Sequence, residues 1–223
     1  MGKMIERIAS KRGHTIVSRI DTPGEVPAFE TLDIAIDFSI PEAALENVCG
    51  CLEAGVPVVS GTTGWMDDFP IAERLCREVD GAFLYASNFS LGMNLFFELN
   101  AQLARLMSQF PDYSLNMTEI HHTRKVDAPS GTAITLAEGI IENSSYTQWN
   151  AGNGSSKNIP IASERVGDTP GTHRITYESK VDQIEIQHTA YNREGFAHGA
   201  VVAAEWLVDK TGVFGMKDVL NLR

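Results

Sequence analysis

The chain opens with apolar residues at helical spacing, Met4, Ile5, Ile8 and Ala9, and the pattern stops at Arg12-Gly13. A basic residue followed by glycine is a common helix stop, so a helix is predicted almost from the first residue. Residues 14–20 read as a strand ending at Asp21, a turn-rich stretch with Pro23, Gly24 and Pro27 follows, and 34–38 reads as the next strand. Ser39-Ile40-Pro41-Glu42 has the form of a capping box with proline near the first helical position, and the helix it starts is expected to run to Gly55. Residues 56–60 form a short β-branched strand, 67–79 a helix, and 82–86 another apolar strand ahead of Ser87-Asn88-Phe89-Ser90. Strands alternating with helices at this spacing imply a parallel sheet covered on both faces.

After a long helix over 92–109 the character changes. A strand over 113–121, a loop through Gly131 and a helix over 132–143 lead to 150–158, whose Gly, Ser and Asn content predicts an exposed loop. Three strands then come in succession, 159–166, 172–180 and 183–191, which predicts an antiparallel or mixed sheet in a second domain. A closing helix over 197–210 carries Val201, Val202, Trp206 and Leu207 at helical spacing and is expected to return to the first domain. The fold class is therefore α/β, with one domain over 1–91 and 193–223 and another over 92–192.

Composition narrows the function classes. Of 223 residues, 43% are hydrophobic and 21% charged, which are ordinary globular proportions. Lys and Arg number 18 against 29 Asp and Glu, a formal net charge of −11, so the chain repels nucleic acid and anionic lipid. No apolar run approaches the roughly 20 residues of a membrane helix, and no signal peptide opens the chain, so a soluble, cytoplasmic protein is expected. Cys49, Cys51 and Cys76 lack the paired spacing of a zinc site and are expected to be reduced core thiols.

In an open parallel sheet, ligands bind beyond the carboxyl ends of the strands. Asp21 lies 19 residues after Gly2, about the offset at which an acid receives ribose hydroxyls, although an aspartate ending a strand is more often a turn former. Gly61-Thr62-Thr63-Gly64 follows one predicted strand and Ala86-Ser87-Asn88-Phe89 another, so both loops should line the same crevice. The densest constellation runs from Glu119 through His121, His122, Arg124, Lys125 and Asp127 to Ser130-Gly131-Thr132-Ala133. Two imidazoles, two cations and a hydroxyl-glycine-hydroxyl entry to a helix, within an acidic chain, read as an anion site. The helix start supplies N–H donors and a positive dipole end, Lys125 a full charge, and a histidine a transferable proton. His121 and His122 are adjacent and point to opposite faces of a strand, so a shared zinc would need Asp127, Glu119 or a distant histidine. No HExxH or GxSxG occurs, and no metal is expected. His14, His173, His188 and His198 are isolated and read as structural.

Glu119-x-His121-x-x-x-Lys125-x-Asp127-x-Pro129-Ser130-Gly131-Thr132-Ala133 resembles the signature of the dihydrodipicolinate reductase family. The resemblance extends through Asp37-Phe38-Ser39, Gly61 to Gly64, Ser87 to Ser90, Arg193 to Gly199 and Gly212 to Leu220, nearly the whole chain. It implies a Rossmann-type dinucleotide-binding domain and a mixed-sheet α/β domain that binds substrate and builds a homotetramer. It also implies reduction of a cyclic dicarboxylate, 4-hydroxy-tetrahydrodipicolinate, by NADH or NADPH in diaminopimelate and lysine biosynthesis. By the resemblance His121 is the proton donor and Lys125 a second donor or charge stabiliser, while His122, Ser130, Gly131 and Thr132 hold the substrate's carboxylates. Asp21 resembles the ribose-binding acid, and Gly61, Thr62, Thr63, Ala86, Ser87, Asn88 and Phe89 the nicotinamide-side loops.

The chain departs from the family pattern at its start. Members open with a strand and a GxGxxG-type turn, whereas here only the last glycine, Gly2, is present. A mis-assigned or shortened start is the expected reason. A binding-only chain that takes up a dicarboxylate without dinucleotide is the alternative, and a semialdehyde dehydrogenase lacks a suitably placed cysteine. Asn116 and Met117 are smaller departures. Asp21 disfavours a 2′-phosphate and Thr22 is not the arginine that would welcome one, so the cofactor is expected to be NADH rather than NADPH.

Overall fold

The computed structural model of the protein describes residues 1–21, 25, 27–152 and 157–222. Helix α1, Gly2–Lys11, is followed by β1, Ala35–Asp37, α2, Pro41–Glu53, β2, Val58–Ser60, α3, Phe69–Glu78, β3, Ala82–Tyr85, and α4, Leu91–Met107. Next come β4, Ser114–His121, α5, Gly131–Glu142, β5, Gln148–Ala151, β6, Asn158–Arg165, β7, Gly171–Glu178, and β8, Gln183–Ala190. Helix α6, Glu194–Leu207, strand β9, Gly212–Phe214, and α7, Met216–Val219, follow. Two compact units result, Met1–Asn94 with Glu194–Arg223, and Leu95–Arg193.

The first unit is built on a parallel sheet in the order β1-β2-β3-β9. Adjacent strand residues point to opposite faces, so Val58 and Phe83 pack with Ala44, Val48, Leu52 and Ala72 of α2 and α3. Val59 and Leu84 pack on the other side with Ile5 and Ala9 of α1 and Ala200, Ala204 and Leu207 of α6. Helix α1 ends as its sequence predicts: Gly13 takes φ +94°, a left-handed conformation that glycine enters without steric cost. The Arg12 guanidinium donates two hydrogen bonds to Glu205, at 2.7 and 2.6 Å, tying that end to α6.

Helix α6 approaches the 86–89 loop so closely that a Cβ on Gly199 would overlap the Phe89 backbone carbonyl. Backbone cannot rotate away as a side chain can, so Gly199→Ala is expected to cost about 2 kcal/mol despite its better helix propensity. Urea denaturation measures this as a lower midpoint with an unchanged slope.

Three local expectations need correction. Residues 14–20 form no strand, and Asp21 ends none. Only Ile16 there is even partly buried, so the segment has no apolar face to hold it in a ladder, and Arg19 instead donates to Glu6 at 2.6 Å. Ser39 does not cap α2, whose N-cap is Ile40. The Ser39 hydroxyl accepts instead from Asn47 Nδ2 at 3.2 Å, and its amide is committed to Thr62. Asn150 and Ala151 are not loop but part of β5, held by parallel pairing to Pro160 and Ile161 of β6. Thr22, Pro23 and Gly24 of the predicted turn, and 153–156 of the predicted loop, lie outside the described residues.

The second unit is a mixed five-stranded sheet in the order β5-β6-β4-β7-β8, parallel across β5-β6-β4 and antiparallel across β4-β7-β8. Leu115, Met117, Glu119 and His121 alternate along β4 on its buried face. Helix α5 buries Ala133, Leu136, Ala137 and Ile140, and Asn100 of α4 donates to the Leu136 carbonyl at 2.9 Å. No helix among the described residues is long and apolar enough to cross a membrane. Cys49, Cys51 and Cys76 are free thiols, and burial pushes the Cys51 thiol up to about 11, which makes it unreactive.

Candidate functional site

In the second unit the site grows out of strand register. β4 pairs in parallel with β6 and antiparallel with β7, so Glu119 lies between Ser163 and His173, and His121 beside Arg165, all on one face of the sheet. The carboxyl end of β4 then turns back so that α5 begins above the same face. Ser130 is the N-cap of α5, its Oγ accepting from the Ala133 amide at 3.2 Å and lying 3.3 Å from His173 Nε2.

At the centre Glu119 is 1% exposed and His121 8%. One Glu119 oxygen hydrogen-bonds His121 Nδ1, and the other accepts from Arg165 at 2.9 Å. Arg165 also donates to the Asp127 and Lys125 carbonyls at 2.6 and 3.3 Å, so it pins the following loop to the sheet. Burial raises the Glu119 carboxyl, but Arg165 and His121 together hold it below the usual range, so it is ionised. Burial drives His121 the other way, below the ordinary histidine range, with Lys125 and Arg165 adding to the effect and Glu119 opposing it. His173 stands edge-on to the His121 ring at 5.2 Å and is pushed to about 4 by burial and by His121.

Lys125 Nζ donates to Asp127 at 2.9 Å, and this cation lowers the Asp127 carboxyl. His122 follows the end of β4 and is half-buried, its buried Nδ1 without a hydrogen-bond partner. Gly131 is exposed and Thr132 half-buried in the first turn of α5, which contains no acidic residue. Arg124 does not join this group. It is exposed and paired at 2.8 Å with the exposed Asp168.

His173, expected to be isolated, is brought against His121, and Arg165 is a site residue with no local signature. Glu119 was within reach, because residues two apart on a strand share a face. Donor atoms of Glu119, His121 and His173 lie within 4.8 Å of one another. Both Glu119 oxygens are already engaged and two cations stand beside the group, so the donor set suits an anion rather than a metal. We assign no metal ligands here.

In the first unit, Asp37, Ser60 and Tyr85 are in register, so the loops after β1, β2 and β3 start side by side. Asp37 is buried and accepts from Asn47 at 3.0 Å, Ser60 at 3.0 Å and Thr62 at 2.7 Å. Thr62 Oγ1 also accepts the Ser39 amide at 2.8 Å, so its side chain shapes the loop and is not offered to a ligand. Thr63 and Gly64 are exposed, and Gly61 leaves no room for a Cβ because the Phe38 ring occupies it. Ser87 is exposed and Ala86 and Asn88 half-buried, but the Phe89 side chain is in the core against Phe38. Gly2 opens α1 with free space around it, no acidic first-turn residue and no side-chain cap. Asp21 is exposed.

Open backbone at a helix N-terminus and glycine-bearing loops at parallel strand ends are features on which a dinucleotide can be received. With the mixed sheet and its buried acid–imidazole pair, they define a two-domain α/β reductase of the nicotinamide-dependent class. Family models for the N-terminal and C-terminal parts of dihydrodipicolinate reductase match residues 1–89 and 92–220. A 4-hydroxy-tetrahydrodipicolinate reductase of Christiangramia forsetii is 54% identical over 99% of this chain and 94% of its own. One from Chromobacterium violaceum is 39% identical over 89% of this chain and 77% of its own. The solved structure of a dipicolinate-bound dihydrodipicolinate reductase from Paenisporosarcina sp. TG-14 covers 83% of this chain and 73% of its own, at 26% identity and TM-score 0.68. The chain belongs to the dihydrodipicolinate reductase family.

Proposed function

We propose that this protein reduces 4-hydroxy-tetrahydrodipicolinate with a nicotinamide dinucleotide, in diaminopimelate and lysine biosynthesis in the cytoplasm. The reading is carried by the 54% identity to a reductase of that name over nearly the full length of both chains. The dipicolinate bound to the Paenisporosarcina relative supports a cyclic dicarboxylate as substrate.

The carboxylates are received by His122, Ser130, Gly131 and Thr132, where the first amides of α5 lack intrahelical partners and the helix dipole is positive. Lys125 adds a full charge beside them. The dinucleotide, held by Gly2, Asp21, Gly61, Thr62, Thr63, Ala86, Ser87, Asn88 and Phe89, supplies the hydride when bound. Thr62 and Phe89 contribute through backbone and loop shape, since their side chains are engaged inside the unit. His121 delivers the proton. Its lowered affinity for a proton in the free protein is reversed when two negative carboxylates arrive next to it, so it charges as substrate binds. The domain over 1–91 and 193–223 acts on the dinucleotide and that over 92–192 on the substrate. The 92–192 domain also builds a homotetramer.

The test is steady-state oxidation of NADH and of NADPH with 4-hydroxy-tetrahydrodipicolinate. Asp21 repels a 2′-phosphate, so kcat/KM is expected to be about tenfold higher with NADH. A higher value with NADPH overturns the preference. Dicarboxylate binding without turnover on either cofactor overturns the reductase reading in favour of a binding-only chain.

A further inference from the structure

We propose that Glu119 is a positioning residue for the reduction, with Arg165 behind it: the carboxylate fixes His121 with its proton on Nδ1 and leaves Nε2 as the nitrogen that serves the substrate. The inference rests on the reading of His121 as proton donor. An ionised carboxylate only accepts hydrogen bonds, so a ring nitrogen bonded to it must carry hydrogen. Arg165 on the second oxygen keeps Glu119 ionised and prevents the carboxylate from turning away. Glu119 is almost fully buried, so the pair acts without competing water.

The opposite edge of the ring supports the same assignment. Gly171 of β7 faces it, and a Cβ there would come within 3.1 Å of Nε2. Absence of a side chain at Gly171 keeps the Nε2 edge clear. During the reaction the Nε2–H bond of the imidazolium breaks and its proton passes to the substrate. The neutral ring remains as the Nδ1–H tautomer, still bonded to Glu119, and the carboxylate itself stays unprotonated. Charged and titratable groups facing His121 are Glu119 on its own strand, Lys125 in the next loop, Arg165 on β6 and His173 on β7. Among these only the carboxylate favours the imidazolium.

The experiment combines histidine-selective nitrogen-15 NMR on the unmodified protein with kinetics of Glu119→Gln and Glu119→Asp. The neutral His121 ring is expected as the Nδ1–H tautomer, and finding Nε2–H overturns the proposal whatever the variants do. Glu119→Gln is expected to lower kcat about 10²-fold with KM within about threefold, and Glu119→Asp to restore part of the loss. Because Glu119 favours the charged ring, its loss moves the alkaline limb of the kcat profile to lower pH, which a purely structural defect would not do. Unchanged kcat and pH profile in Glu119→Gln, with His121→Gln inactive, overturns the positioning role and leaves the proton donor standing. Full turnover in His121→Gln overturns the proton donor itself. If Glu119→Gln does not fold, the tautomer and the Glu119→Asp profile decide.

Discussion

His121→Gln is expected to lower kcat by about 10²–10⁴-fold, the usual worth of a general acid, with KM for the dicarboxylate within about threefold. Glutamine is close in size to histidine and can donate an amide hydrogen bond to Glu119, so the Arg165–Glu119 pair keeps its partner. It has no nitrogen that titrates near neutral pH and so cannot supply the proton. The groups proposed to hold the carboxylates at the start of α5 lie outside the change, so binding is expected to survive. Steady-state kinetics with the preferred dinucleotide measures the effect. Full turnover would remove His121 from the chemistry and turn attention to Lys125, whose Nζ is 2.9 Å from Asp127.

Arg165→Leu is expected to destabilise the protein by about 3 kcal/mol at neutral pH, because it leaves the buried Glu119 carboxylate without its cation. Loss of the hydrogen bonds to the Lys125 and Asp127 carbonyls adds to this by releasing the loop. The dependence on pH has a definite sign. In the unmodified protein Glu119 is lowered, so its contribution is present above the carboxyl's unfolded pKa and is lost as pH falls. Without Arg165 the raising effect of burial meets less opposition and Glu119 takes up a proton more readily, so the deficit narrows on acidification. His173, lowered, weakens the fold as pH falls in either form and largely cancels in the difference, whereas His121, no longer lowered by Arg165, takes up a proton more readily in the variant and narrows the deficit further. Thermal or urea unfolding at pH 5 and pH 8 provides the comparison. Adding Glu119→Gln to Arg165→Leu is expected to recover part of the loss, since the orphaned charge is then gone. Equal deficits at both pH values, or no recovery, would show that the pair is not what stabilises the site.

Much of the parallel-sheet unit was legible because its local signals agree with one another. The Val58–Val59 and Phe83–Leu84 pairs bury on opposite faces, as consecutive residues of a strand covered on both sides must. The 14–20 segment misled for the same reason: its residues have strand propensity, but propensity becomes a strand only where a neighbour pairs with it and a face is covered. β9 escaped notice because three residues carry no period, and only its pairing with β3 through Ala82 and Gly212 makes it a strand.

At the site, the run from Glu119 to Ala133 is a concentration of candidate groups that the sequence displays locally. An acid and a histidine two apart on a strand, a lysine in the next loop and a hydroxyl-glycine-hydroxyl helix start are local features, dictated by backbone period and capping. Tertiary structure decided which groups surround His121. Arg165 and His173 lie 44 and 52 residues further along the chain, and only the pairing of β6 and β7 on either side of β4 places them there. The same pairing decided the electrostatics: burial lowers the histidine, and the guanidinium keeps the buried carboxylate charged. Periodicity and motif spacing are written into neighbouring residues, whereas desolvation and cross-strand charge depend on which distant segment becomes the neighbour, and the packed fold supplies that choice.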